Sequence, residues 1–154
     1  MSEITFLASS KPFVIPDEIQ EYNNRTVFDR IEDLMWLWVY EVDSDGWGEL
    51  VEGLFTLPYI YEVSGADTHL FLLYLEKYME VGDVLELIHF PNQHNFEYYE
   101  SRLLEHPDSI FINVESLTYQ DKYGTYQLSS KKWVEELSHR NFLNEFGVTT
   151  IVKY

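Results

Sequence analysis

The run Leu34-Met35-Trp36-Leu37-Trp38-Val39-Tyr40-Glu41-Val42 is apolar at odd and even positions alike, apart from Glu41. A strand turns successive side chains to opposite faces. A strand with this pattern therefore suits the centre of a sheet covered on both sides. A buried helix continuing from Val27 is the rival reading, because periodicity does not separate the two over so short a run.

The rest of the chain supplies both kinds of element. Ile4 to Ala8 reads as a first strand, and Pro12 and Pro16 hold the next segment extended. Asp17-Glu18-Ile19 begins a helical turn. Asp43-Ser44-Asp45-Gly46 is a turn by composition. Leu54 to Val63 reads as a strand that Pro58 assigns to an edge or a bulge. Asp67 caps a helix over Thr68 to Glu80, and Val84 to Phe90 is a strand. Asn95 caps a helix from Phe96 to about Glu105, and Ile110 to Val114 is a strand. Leu117 to Gln120 and Thr125 to Leu128 flank a Gly-containing loop, the signature of a hairpin. Ser130 caps a further helix, and Val148 to Val152 is a last strand. Strands and helices interleave without a regular βαβ rhythm. The reading is an α+β fold: one domain over residues 1–154, with a mixed or antiparallel sheet and helices packed on it.

At 154 residues the chain has room for one sizeable core, and 45 % hydrophobic residues suffice to fill it. There is no Cys, which excludes disulfides, thiolate metal sites and cysteine nucleophiles and fits a reducing compartment. Met1-Ser2-Glu3-Ile4-Thr5-Phe6 lacks the basic start and apolar run of a signal peptide, and the longest apolar runs are too short to span a bilayer. The expected location is cytoplasmic, with no membrane contact.

Charge narrows the partners. The formal net charge is −17, from 27 acids and 10 Lys or Arg. Such a field repels nucleic acid and anionic lipid and attracts basic partners. Solubility alone is the plainer account of it. The distribution is uneven: residues 1–122 hold 24 acids and 6 bases, while residues 123–154 hold 3 and 4. The anionic face belongs to the first part.

Two stretches look like chemistry. Ile88 to Glu100, IHFPNQHNFEYYE, carries His89, His94, Glu97 and Glu100. Two His and a carboxylate with an open position for water make a catalytic zinc site. Known metal helices place their His one turn apart on one face, and Pro91 prevents that here. The competing reading is a strand end, a loop, and a helix whose first turn places Glu97 favourably against the helix dipole. The second stretch, Asp43-Ser44-Asp45-Gly46-Trp47-Gly48-Glu49, starts like a calcium loop but has Leu54 at the twelfth position, where a Glu is needed. It reads instead as Trp47 displayed beside Asp43, Asp45, Glu49 and Glu52, an anchor with an anionic rim. The alternative buries Trp47 in the core. Tyr119, Tyr123 and Tyr126, with Trp133, form either a binding surface or cross-strand packing. Nucleophile elbows and phosphate-binding loops are missing. Adjacent acid pairs such as Glu135 and Glu136 diverge and imply no dyad.

In profile the chain resembles the small acidic inhibitor proteins of bacterial toxin systems, which are cysteine-free, aromatic-rich and catalytically silent. That resemblance implies a non-enzymatic module docking a basic protein, with no cofactor, and carries no residues across; the pattern of the stretch itself nominates Asp43, Asp45, Trp47, Glu49 and Glu52 as the docking residues. The alternatives are a metal-dependent hydrolase using His89, His94 and Glu97, a DNA mimic, and an acidic globular protein with a structural or housekeeping role.

Overall fold

A computed structural model describes residues 3–28, 30, 35–42, 46–143 and 147–154. Eight strands form a single sheet: β1 (Ile4–Ser9), β2 (Trp38–Glu41), β3 (Tyr59–Ser64), β4 (Val84–Phe90), β5 (Ile110–Asn113), β6 (Thr118–Asp121), β7 (Gly124–Gln127) and β8 (Thr149–Val152). Their spatial order is β2-β3-β1-β4-β8-β5-β6-β7. Every pairing is antiparallel except β5 with β8. The helices are α1 (Asp17–Asn23), α2 (Trp47–Val51), α3 (His69–Lys77), α4 (Phe96–Glu105) and α5 (Trp133–Ser138). The fold is the mixed-sheet α+β arrangement read from the pattern of elements. Among the described residues no helix is long and apolar enough to cross a membrane.

The strand covered on both sides is β1, not the run at Leu34 to Val42. All six β1 residues are buried. Leu7 joins a large core with Val63, Leu85, Leu87, Ile112, Ile151 and the inner faces of α1, α3 and α5. Ile4, Phe6 and Ala8 face the other way, into a smaller core with Ile88, Phe90, Val51 and Phe96. The residues of the run at 34–42 that are described form only a four-residue edge strand. Asn23 explains why the ladder starts no earlier. Its side-chain amide donates to the Leu37 carbonyl and accepts from the Leu37 N–H, both at 2.8 Å. Leu37 is thereby satisfied without a strand neighbour. Trp36 and Tyr40, whose polar tips tolerate water, stay exposed at the edge.

Pro58 stands just before β3, which is an interior strand flanked by β1 and β2. The absent proline N–H therefore costs the sheet nothing. Two expected caps move: Thr68 rather than Asp67 precedes α3, and Lys132 rather than Ser130 precedes α5. Asn95 does precede α4, but its side chain makes no capping bond. A 3-10 turn over Gln93–Asn95 comes between strand and helix, and Asn92 caps that turn by accepting from the His94 N–H. Gly65, at φ +93°, crosses so near the Trp36 carbonyl that any Cβ would strike it.

Glu86 is the polar group that fixes the approach to β3. It is buried on β4, and its carboxylate accepts from the Thr56 N–H, the Thr56 hydroxyl and the Leu57 N–H at 2.9, 2.9 and 3.1 Å. Glu86→Ala removes all three acceptor contacts and is expected to lower the unfolding free energy by about 2–4 kcal/mol, with Glu86→Gln costing about half as much. Urea unfolding measures both; a loss below about 0.5 kcal/mol for the alanine variant would show that other contacts hold the loop.

Candidate functional site

The acid-rich stretch and the histidine-bearing junction meet on one side of the sheet. Between Arg30 and Lys77 the chain carries ten acids and neither Lys nor Arg. Part of that stretch is α2. Gly46 precedes it in a non-helical conformation, and Trp47 is its first residue. Trp47 and Val51 lie one helical turn apart and share a face, and that face points inward. Val51 is fully buried, and the indole is half-buried, 5.6 Å from the Phe6 ring and 5.2 Å from Phe96. Phe90 closes the cluster, 4.8 Å from Phe96.

α4 supplies the opposite wall. Phe96 and Leu103, two turns apart, face the core. Glu97, Tyr98 and Glu100 turn outward. Between α2 and α4 lies an open groove of about 600 Å³, lined by Trp47, Leu50, His94, Phe96, Tyr98, Glu97 and Glu100, among others. No Lys or Arg lines it. Leu50 and Tyr98 remain 50 % and 61 % exposed, a considerable apolar surface beside carboxylates.

The candidate residues sort as follows. Trp47, His94 and Glu97, assigned by sequence to two different sites, line this one groove. Glu49 and Glu52 are exposed, on α2 and on the 3-10 turn that continues it. Asp43 and Asp45 lie outside the described residues. Trp47 is not freely displayed: its ring packs against Phe6 and Phe96 and is only partly exposed.

His89 does not line the groove with His94 and Glu97. Strand alternation is the cause. Ile88 and Phe90 face the α4 side with the smaller core, while Leu87 faces the larger one, and His89 shares the Leu87 side. There His89 Nδ1 and Thr5 Oγ1 share a 2.8 Å hydrogen bond across the β1–β4 ladder, and Glu3 comes within 3.7 Å of His89 Nε2. Those three residues line a separate cleft of about 550 Å³. Among the described residues no group of three or more His, Asp or Glu gathers closely enough to hold a metal ion.

The tyrosine hairpin is mainly structural. Tyr119 and Tyr126 are cross-strand partners with ring centroids 6.2 Å apart, and Tyr123 is exposed at the turn. Burial pushes the Tyr119 phenol above its ordinary range and Asp121 adds to the rise, while the Arg140 guanidinium opposes it.

Leu50 was not singled out from the sequence, because the segment after the turn at Asp43 to Gly46 was not read as a helix. Two glycines flanking Trp47 argue against a helix on propensity; burial of Trp47 and Val51 overrides that. Comparison with known protein families, with curated proteins and with solved structures finds no match.

Trp47→Ala is expected to lower stability by about 2–4 kcal/mol and Trp47→Phe by about 1, because the indole fills space between Phe6 and Phe96. Chemical denaturation checks this. An alanine variant as stable as the parent would put the ring in solvent.

Proposed function

We propose that this chain is a non-catalytic binding module whose α2–α4 groove receives a basic, amphipathic segment of a partner protein. The observation that carries this reading is the groove itself: an apolar floor of Trp47, Leu50 and Phe96 edged by Glu97 and Glu100, with no Lys or Arg among its described lining residues. A cationic segment with an apolar stripe is complementary to both features. Leu50 and Tyr98 offer the apolar contact. The acids of residues 31–76 supply the long-range field that draws such a partner in.

The specific form proposed is an inhibitor- or immunity-type role against a basic partner, in a reducing compartment such as the cytoplasm. Steering is the task of Asp43, Asp45, Glu49 and Glu52, and Trp47 is the anchor. Exposed carboxylates at the rim act mainly on the association rate, and the apolar floor acts mainly on dissociation.

The probe is a synthetic helical peptide with Lys on one face and Leu on the other, followed by fluorescence anisotropy. Affinity is expected to fall about tenfold or more between roughly 50 and 200 mM salt, as screening shortens the reach of the acids. The pair Glu97→Lys with Glu100→Lys abolishes binding, whereas Glu115→Lys with Glu135→Lys, exposed elsewhere, leaves most of it. Leu50→Ala slows nothing in association but speeds release. Salt-independent binding, or equal losses from the two charge-reversed pairs, overturns the reading.

A further inference from the structure

β7 closes one end of the sheet. All four of its residues, Gly124-Thr125-Tyr126-Gln127, are exposed, and among the described residues β6 is its only strand neighbour. An antiparallel ladder alternates between pairs that exchange hydrogen bonds and pairs that do not. The two-residue turn Lys122-Tyr123 makes Asp121 with Gly124 the first bonded pair, so Tyr119 with Tyr126 is the next. The Leu128 N–H, 2.7 Å from the Leu117 carbonyl, continues the same alternation. Gly124 and Tyr126 therefore turn their backbone N–H and C=O groups to β6, and Thr125 and Gln127 turn theirs outward. Among the described residues no protein group bonds to those outward groups.

The side chains leave this edge clear. The Gln127 amide folds back and donates to the Ser116, Leu117 and Leu128 carbonyls at 3.1, 3.0 and 3.3 Å. The Arg140 guanidinium holds the Tyr126 ring from 4.7 Å. β7 contains no Lys, no acid and no Pro, the residues that commonly protect an edge strand from pairing.

Charge decides what can approach. The chain is net −17, yet residues 123–154, which include β7, hold 3 acids and 4 bases. The acidic α2–α4 groove lies over β1 and β4. From β4 to β7 is four strand spacings of about 4.8 Å, roughly 19 Å in all. That exceeds two Debye lengths of about 8 Å. A basic partner is drawn to the acid-rich end. A second copy is repelled there and meets least opposition where both chains are near neutral.

We propose that β7 pairs antiparallel with β7 of a second copy of this chain, about a two-fold axis at Tyr126. Thr125 of one copy then lies opposite Gln127 of the other and exchanges both N–H···O bonds with it, and the axis repeats the exchange. Every outward backbone group of the strand is thereby satisfied. Tyr126 faces its own counterpart across a non-bonded pair, where side chains come closest. The acid-rich parts of the two copies stand at opposite ends of one continuous sheet, and both grooves stay open. The inference is therefore independent of the role given to the groove. Four residues are few beside the roughly 20–30 a side of a standard interface. The dimer is accordingly weak and reversible, with a dissociation constant on the order of 0.1 mM.

The test is sedimentation equilibrium of the full chain between about 10 μM and 1 mM, with amide exchange with water followed by NMR over the same range. A monomer–dimer equilibrium is expected, strengthened severalfold as salt rises from about 50 to 500 mM and screens the repulsion. Exchange at the Thr125 and Gln127 N–H groups slows about threefold or more at the highest concentration, and exchange at Tyr126, already bonded to β6, does not change. Thr125→Pro removes an outward N–H, leaves the β6 ladder its bonds and abolishes the dimer. Tyr40→Lys, exposed on the opposite edge strand β2, leaves it intact. A monomer at about 1 mM, dimerisation weakened by salt, slowing shared equally along β7, or a dimer lost in Tyr40→Lys and kept in Thr125→Pro overturns the proposal.

Discussion

β1 is hydrogen-bonded along both edges and packed on both faces, and the remaining elements arrange themselves around that fact. Its antiparallel neighbours β3 and β4 are in register over nearly its whole length. Phe6 is fully buried on one face and Leu7 on the other. Two separate cores follow, one under α1, α3 and α5, the other under α2 and α4. A single substitution at Phe6 or Leu7 opens a cavity in only one of them, yet the strand that joins them is common to both.

Two-sided packing also decides where function can sit. Along β4, Ile88 and Phe90 serve the smaller core, and His89 between them serves the opposite face. Residues neighbouring in sequence are thus separated by the sheet. Residues far apart in sequence are joined: Trp47 meets Phe96 directly, and Phe6 and Phe90 complete the cluster. The acidic groove is the outer surface of that aromatic cluster. Part of its floor is also core, since Phe96 belongs to the smaller core and Trp47 packs against it, and its rim is charged because α2 and α4 turn their remaining faces to water. Across the sheet, Arg140 is fixed in a similar way, by rings that belong to the β6–β7 hairpin.

Much of the fold was legible. Val84 to Phe90 is a strand with the bounds read from sequence, and the hairpin, the first strand and the last strand match to within a residue or two. Those segments are short apolar or alternating runs closed by turn residues, so local chemistry suffices. Leu34 to Val42 misled because an apolar run records burial and says nothing about strand neighbours; Leu37 satisfies its backbone on Asn23. Asp67 misled because several polar residues precede α3, and the local turn chooses among them. The candidate site was legible only in part. Trp47, His94 and Glu97 were singled out for separate reasons, and nothing in their spacing indicates that they share a groove.

By itself the sequence determined the class of fold, the surplus of negative charge, its concentration in the first 122 residues and the exclusion of cysteine chemistry. These are sums over residues or properties of short windows, and neither depends on how distant segments meet. Tertiary structure alone decided that β1 rather than the Trp-rich run is central, that Trp47 is half core and half surface, and that His89 and His94 lie on opposite faces. Each of those outcomes follows from strand order and side-chain alternation, which are fixed only when the whole sheet closes its two cores at once.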